Sequence, residues 1–78
     1  MSIIIYSKKN CPKCEQAKML CNKNNISYEE KDIIEHLEHI RSVAVKPVQE
    51  APQVFYNNKH IGGFQDFVKF FNENKEKL

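Results

Sequence analysis

Apolar residues recur along the chain at two spacings, one typical of strands and one typical of helices. A β-branched run over residues 2–6 predicts a buried strand, and partial alternation over residues 26–33 predicts another. Between them, good helix formers follow Pro12, which suits a first helical turn because its missing N–H needs no partner there. Asn24-Asn25 is expected to end this helix, whose apolar face carries Ala17, Leu20 and Cys21.

The second half of the chain begins with another helix and a hairpin. The helix is expected to end before Pro47, and its core-facing positions at helical spacing are Ile34, Leu37, Ile40, Val43 and Ala44. Residues 53–56 and 59–61 read as strands. They flank Asn57-Asn58, whose asparagines tolerate the positive φ that a two-residue hairpin turn requires. These segments predict a helix followed by an antiparallel strand pair.

A last helix is predicted after Gly62-Gly63. Its apolar face has the i, i+3, i+4, i+7 spacing and carries Phe64, Phe67, Val68 and Phe71. The predicted order is therefore βαβαββα. A parallel βαβ unit followed by an antiparallel hairpin and a covering helix predicts an α/β fold in three layers, with a four-stranded mixed sheet flanked by three helices. At 78 residues, the chain predicts a single domain over residues 1–78.

Composition and charge narrow the class of protein. Hydrophobic residues make up 41% and charged residues 28% of the chain, a globular balance without a membrane-length apolar run. The first residues do not resemble a secretory signal, so a cytoplasmic location is expected. The net charge is +2 with scattered lysines, which favours small anionic partners. Neither nucleic acid nor a membrane is expected as a partner, and the chain is expected to be a monomer.

The candidate chemistry lies in Cys11-Pro12-Lys13-Cys14. Three cysteines cannot form a fully paired disulfide framework, so this CxxC indicates either redox chemistry or a metal. Cys11 lies where a strand ends and a helix begins, and the N–H groups and dipole of that helix favour a thiolate. Cys11 is therefore the expected nucleophile, and Cys14, one turn along and more enclosed, is the expected resolving thiol.

Three lysines, Lys8, Lys9 and Lys13, are expected to surround Cys11 with positive charge that stabilises its thiolate. Cys21 shares the inward face of its helix, so it is interpreted as a packed core residue. The three histidines, His36, His39 and His60, are expected to be solvated, and Phe70 is the phenylalanine expected to be exposed.

A zinc site is the main alternative use of the cysteine pair. It would add His36 and His39, but residues 15–35 separate Cys14 from His36, a longer gap than the about 12 to 15 residues of common zinc motifs. The His-x2-His spacing is also shorter than usual. No metal is therefore expected, and a noncatalytic zinc or partner-binding module remains the less favoured hypothesis.

Separate motifs along nearly the whole chain resemble glutaredoxins. They are Tyr6-Ser7-Lys8-Lys9-Asn10-Cys11-Pro12-Lys13-Cys14, Ala17-Lys18, Ala51-Pro52-Gln53-Val54-Phe55 and His60-Ile61-Gly62-Gly63. The resemblance implies a thioredoxin-like fold and a dithiol thiol–disulfide oxidoreductase. It also implies that glutathione is the reductant, and that protein disulfides and glutathionylated proteins are the substrates. In this picture Pro12 and Lys13 support the active site.

The same resemblance assigns the substrate site. Pro52 would be cis and face the cysteines, which leaves the backbone of Ala51 free to pair with the substrate. Lys8 would meet one glutathione carboxylate. Backbone N–H groups at Gly63 and Phe64 would meet the other carboxylate, and Gln65 would lie beside the glutathione amino group.

Three residues depart from the common glutaredoxin pattern. Ala51 is often Val, Lys13 is often Tyr, and the position of Gln65 is usually acidic or hydroxylic. The departures at Ala51 and Gln65 leave open a glutaredoxin-like redoxin that has a weak glutathione site and is reduced by thioredoxin reductase. The short length resembles bacterial and phage-type glutaredoxins, some of which supply electrons to ribonucleotide reductase.

Overall fold

The computed structural model describes residues 2–77, which form four strands and three helices in the predicted order βαβαββα. The strands are β1 (Ile3–Ser7), β2 (Glu29–Asp32), β3 (Gln53–Tyr56) and β4 (Lys59–Gly62), and the helices are α1 (Pro12–Lys23), α2 (Leu37–Val43) and α3 (Phe64–Glu73). None of these helices is long and apolar enough to cross a membrane.

The four strands form one mixed sheet in the order β2-β1-β3-β4. β1 and β2 are parallel, which α1 makes possible by crossing over between them, whereas β3 is antiparallel to both β1 and β4. The predicted mixed sheet is confirmed. Because β1 lies inside the sheet, the loop that follows it lies at the carboxyl end of an interior strand, with strands on both sides.

The core lies on both faces of the sheet because alternate strand residues point in opposite directions. On one face, Ile5 packs with residues of α1 and α3, in a cluster formed by Ile3, Ile5, Ala17, Cys21, Ile26, Val54, Phe67 and Phe71. On the other face, Tyr6 packs with Ile33, Ile40 and Phe55. Helices therefore cover both faces, and the predicted three layers are present.

The start of α2 differs from the prediction. The helix begins at Leu37, and Ile34, predicted to face the core, is 69% exposed while Ile33 is buried. The reason is local: the Asp32 carboxylate accepts hydrogen bonds from the backbone N–H groups of Ile34 and Glu35, at 2.7 and 3.2 Å. These bonds hold a turn before the helix and rotate Ile34 outward.

The tight turns lie where the sequence predicted them. Asn57 and Asn58 have φ values of 49° and 68°, which match the two-residue hairpin expected of them. Asn25, with φ of 56°, follows the end of α1 as predicted. The exposure predicted for Phe70 is wrong, because its ring packs against Tyr56 with centroids 5.0 Å apart and it is only partly exposed.

Candidate active site

Cys11 and Cys14 meet at the start of α1 and form a disulfide, with their Cα atoms 5.2 Å apart. Cys11 is the N-cap residue and has an extended backbone, and Pro12 occupies the first helical turn. The backbone N–H of Cys14 donates to Cys11 Sγ at 3.1 Å. An N–H aimed at this sulfur, together with the positive end of the helix dipole, stabilises a thiolate on Cys11 in the reduced protein.

The two sulfurs differ in access. Cys11 is 8% exposed, whereas Cys14 is fully buried. A disulfide from solution therefore reaches Cys11 first, and Cys14 reacts with what is already bound there. This difference fits the predicted order of nucleophile and resolving thiol.

The Ala51–Pro52 peptide bond is cis, as the resemblance implies. The carbonyl oxygen of Ala51 lies 3.7 Å from Cys11 Sγ, although the two residues are 40 positions apart in the chain. A cavity of about 420 Å³ opens at this point and is lined by Lys8, Asn10, Cys11, Pro12, Lys13, Gln49, Glu50 and Ala51. The reactive sulfur therefore lies beside backbone that a substrate peptide can reach.

The three lysines near Cys11 are not equivalent. Lys8 lines the cavity of Cys11, whereas Lys9 lines a different cavity, between β2 and the start of α1. Lys13 lines the Cys11 cavity, but its Nζ lies 3.8 Å from Glu50 Oε2, which offsets part of its charge. Of the three lysines, Lys8 and Lys13 therefore line the Cys11 cavity and Lys9 does not, and Glu50 offsets part of the Lys13 charge.

A second cavity, of about 500 Å³, adjoins the first and shares Gln49 and Glu50 with it. Its remaining lining residues are Lys46, Pro47, Gln53, Gly63 and Asp66. The backbone N–H of Gly63 donates to Asp66 Oδ2 at 3.2 Å, and Lys46 Nζ donates to Asp66 Oδ1 at 2.8 Å. The Lys46 ammonium holds the pKa of Asp66 below its usual value. The N–H predicted to meet a glutathione carboxylate is thus already bonded within the protein.

The predicted binding residues are divided between these places. Lys8 and Ala51 line the cavity of Cys11, and Gly63 lines the neighbouring one. Phe64 packs against the core, and Gln65 is exposed and lines neither cavity. Asp66, one position further along, lines the cavity of Gly63.

Sequence reasoning missed four polar residues of these cavities: Lys46, Gln49, Glu50 and Asp66. An acidic residue in the first turn of a helix is a recognisable signal, so Asp66 could have been found. The other three lie in an irregular segment without periodicity. A further effect of this segment is on Gly63, where an added Cβ would meet the carboxylate of Glu50.

Two residues outside the cavities also bear on the site. His60 was predicted to be solvated, but it is 7% exposed, and burial lowers its pKa below the ordinary value. Cys21 is fully buried, as predicted, and burial raises the pKa of its thiol to about 11. Within residues 2–77, no group of three or more His, Cys, Asp or Glu side chains is placed to hold a metal ion.

The fold and the cysteine pair define a thioredoxin-like protein whose helix-capping dithiol exchanges with disulfides. The family model "Glutaredoxin" matches residues 3–61. Glutaredoxin 1 of Escherichia coli K12 is 34% identical over 82 residues, covering 95% of this chain and 96% of the relative. The chain belongs to the glutaredoxin family and is a dithiol thiol–disulfide oxidoreductase.

Solved structures agree with this assignment. The oxidised E. coli glutaredoxin superposes with a TM-score of 0.81 at 33% identity, covering 97% of this chain and 99% of that protein. A buckwheat glutaredoxin in complex with glutathione shares the fold, with a TM-score of 0.74 at 21% identity, covering 94% of this chain and 70% of its own. The thioredoxin-like fold predicted from the sequence is confirmed.

Proposed function

We propose that this protein uses glutathione to reduce protein disulfides and glutathionylated proteins. The observation that carries the proposal is the cavity in which Cys11, the Lys8 ammonium and the Ala51 backbone lie together. A small anionic peptide disulfide can meet all three at once: a sulfur at Cys11, a carboxylate at Lys8 and peptide groups at Ala51. The buckwheat relative solved with glutathione supports the same ligand class.

In the reductive half of the cycle, the Cys11 thiolate attacks one sulfur of the substrate disulfide. A Cys11–substrate mixed disulfide forms, and the other substrate sulfur leaves as a thiolate. The Cys14 sulfur, deprotonated as it reacts, then attacks Cys11 Sγ. The Cys11–Cys14 disulfide forms, and the second substrate sulfur leaves and takes up a proton. The substrate gains two electrons from the dithiol; Cys14 gives up one proton, and the first substrate thiolate takes its proton from solvent.

Two glutathione molecules restore the dithiol. The first attacks Cys11 Sγ, forms a Cys11–glutathione disulfide and releases Cys14 as a thiolate that is then protonated. The second attacks the glutathione sulfur of that mixed disulfide, so that oxidised glutathione leaves and Cys11 returns to its thiolate. A glutathionylated substrate needs Cys11 alone. The Cys11 thiolate attacks its glutathione sulfur, the protein sulfur leaves as a thiolate, and the Cys11–glutathione disulfide that forms is resolved by the second glutathione step described above.

The test is NADPH consumption with glutathione, glutathione reductase and either a glutathionylated peptide or a protein disulfide. Wild type should turn over both substrates, and Cys11→Ser should lose about 100-fold or more with each. Cys14→Ser should keep activity on the glutathionylated peptide within about fivefold and lose protein disulfide reduction. Loss of both activities in a folded Cys14→Ser protein would contradict the assigned roles.

The second candidate is a redoxin reduced by thioredoxin reductase. The carboxylates of Glu50 and Asp66 favour it, because they line the cavity of Gly63, where the resemblance implies a glutathione carboxylate. Like charges at that point weaken glutathione binding. Turnover with NADPH and thioredoxin reductase, in the absence of glutathione, would select this alternative.

The remaining assignments follow the resemblance. We propose a cytoplasmic monomer without a metal cofactor, acting on disulfide-bonded or glutathionylated proteins, with ribonucleotide reductase as one candidate target. Reduction of an oxidised ribonucleotide reductase by catalytic amounts of the protein, compared with Cys14→Ser, tests that target.

A further inference from the structure

The segment between α2 and β3 carries the substrate side of the active site but has little structure of its own. Among residues 2–77, none of the backbone–backbone hydrogen bonds that hold turns and loops involves residues 45–51. The segment is largely exposed at its start, where Val45 is 75% exposed, yet its last residue, Ala51, lies against Cys11. Something other than backbone pairing must fix its position.

Side chains of the hairpin supply that connection. The backbone N–H of Val45 donates to Nδ1 of His60 at 3.1 Å. Nε2 of His60 lies 2.7 Å from Oε1 of Gln53, and Nε2 of Gln53 donates to the carbonyl oxygen of Glu50 at 2.8 Å. His60 and Gln53 are both buried and so is the bond between them, whereas the bonds to Val45 and Glu50 are partly buried. Two buried side chains thus hold the segment at both ends.

The three bonds agree with one protonation state of His60. Because Nδ1 accepts from Val45, the ring proton of the neutral imidazole must be on Nε2, where it donates to Gln53 Oε1. This donation fixes the orientation of the Gln53 amide, whose NH2 group then points to Glu50. A proton on Nδ1 would place two donors against each other.

The surroundings of the ring also favour its neutral form. Burial lowers the pKa of His60, and the Lys46 ammonium of the segment lowers it further, whereas Asp66 of α3 opposes them. β3 contributes two neutral neighbours of His60. One is Gln53, and the other is Phe55, whose ring centroid lies 5.2 Å from that of His60. Glu50 carries the other nearby charge of the segment, in the cavity that it shares with Lys46 and Asp66.

We propose that neutral His60 is a positioning residue for disulfide exchange: it holds residues 45–50 against β3 and β4, and so places the Ala51 backbone that receives the substrate. The proposal rests on the proposed function in one respect, that substrate pairs with Ala51. His60 touches neither the substrate nor the thiols. Its loss should therefore weaken substrate binding and leave the reactivity of Cys11 unchanged.

The proposal also predicts an effect of low pH, because acid protonates His60. A protonated His60 cannot accept the N–H of Val45, so the start of the segment loses its anchor. Substrate binding should weaken as the pH falls below the ordinary histidine range, about 6.5. The effect belongs to His60 and is absent from a variant that does not titrate there.

The first experiment compares three variants in the assay with the glutathionylated peptide. His60→Leu should raise KM about tenfold and change kcat by less than about twofold, as expected for the loss of about 1.4 kcal/mol of binding. His60→Gln, which can still donate to Gln53, should recover part of this loss. His39→Gln, an exposed histidine of α2, is the matched control and should leave KM unchanged.

The pH profile separates positioning from a merely structural role. Between about pH 7.5 and 5.5, KM should rise more in wild type than in His60→Gln, because only wild type has the titrating ring. The rate of iodoacetamide alkylation at Cys11 against pH should be the same in both proteins. A folded His60→Leu protein with wild-type KM, or a pH profile of KM identical in wild type and His60→Gln, would overturn the proposal.

Two measurements keep the proposal testable if a variant fails to fold or if the wild type does not use glutathione. Long-range ¹H–¹⁵N NMR of the wild type should show His60 neutral at pH 7, with its proton on Nε2, and the Val45 amide should be protected from hydrogen exchange. A proton on Nδ1 would overturn the proposal. If His60→Leu is unfolded, Gln53→Met replaces it in the kinetic test and should raise KM by a similar factor, whereas an unchanged KM would contradict the relay.

Discussion

The thiols of Cys11 and Cys21 have the same covalent structure and opposite expected reactivity. Cys11 caps a helix, receives an N–H at 3.1 Å and reaches solvent. Cys21 packs in the core between the sheet and the helices, where burial raises the pKa of its thiol to about 11. At neutral pH, Cys21 therefore has almost no thiolate, and only thiolates attack disulfides or alkylating reagents.

Alkylation of the reduced protein tests this contrast. With iodoacetamide at pH 7, Cys11 should be modified about 100-fold or more faster than Cys21, because of both its thiolate fraction and its access. Mass spectrometry of timed samples measures the two rates. Denaturant should make Cys21 as reactive as an ordinary thiol. A similar rate at both residues in folded protein would contradict the expected burial of Cys21.

A second prediction at the residue scale concerns the charge of Glu50, which lies 3.8 Å from Lys13 and lines both cavities. Glu50→Gln should lower KM for glutathione about twofold, because it removes a carboxylate that repels an anionic ligand and frees the Lys13 ammonium. The gain should vanish at about 0.5 M salt, where such fields are screened. Glu35→Gln, an exposed change at the turn before α2, should have no effect.

At the scale of elements, α1 is fixed to the sheet by an ionic bridge next to the active site. Lys18 of α1 pairs with Glu15 at 2.6 Å and with Glu30 of β2 at 2.9 Å. The hydroxyl of Ser7 at the end of β1 donates to the same Glu30 carboxylate at 2.6 Å. Both bonds hold the pKa of Glu30 below its usual value, and the two carboxylates raise the pKa of Lys18. The bridge therefore links the cysteine-bearing helix to two strands.

Lys18→Met should lower the free energy of unfolding by about 1 to 2 kcal/mol, since it leaves two carboxylates close together and removes their shared donor. Urea denaturation measures the change. Lys23→Met, an exposed lysine in the last turn of α1, is the matched control and should cost less than about 0.5 kcal/mol. Equal effects of the two substitutions would contradict a specific role for the bridge.

At the scale of the whole molecule, acid should weaken the fold through three groups. The folded state lowers the pKa of His60 by burial, that of Glu30 through Ser7 and Lys18, and that of Asp66 through Lys46. For each group the unfolded chain binds protons more readily than the folded chain, so stability falls as the pH falls. The histidine contribution begins near pH 6.5, and the two carboxylates follow near pH 4.5 and below.

The free energy of unfolding in urea should therefore be nearly constant from about pH 8 to 7 and decline from about pH 6.5 downward. In His60→Gln, the decline between about pH 6.5 and 5 should be smaller, while the part below about pH 4.5 remains. A wild-type stability that rises on acidification to pH 5 would contradict these assignments.

The parts of the fold that could be predicted are those specified by neighbouring residues in the sequence. The phenylalanine spacing of α3 and the paired asparagines of the hairpin act over a few residues, and the structure reproduces both. The predicted start of α2 was wrong for a local reason. The Asp32 carboxylate accepts hydrogen bonds from the backbone N–H groups of Ile34 and Glu35, which the helical spacing had placed inside α2. His60 was misplaced for a different reason. A buried polar side chain needs hydrogen-bond partners, and the spacing of apolar residues along the chain does not show where those partners are.

The sequence by itself determined the order of elements and the dithiol, because Cys11 and Cys14 lie within one helical turn and need no distant residue to meet. Only the tertiary structure decided what surrounds them. The Ala51 backbone reaches Cys11 across 40 positions, and Glu50 and Asp66 line the same cavity from separate elements. The burial of His60 and the exposure of Ile34 were also settled there. Contacts of this kind depend on the packing of the sheet, its helices and an irregular segment, and packing between distant residues leaves no repeat in the chain.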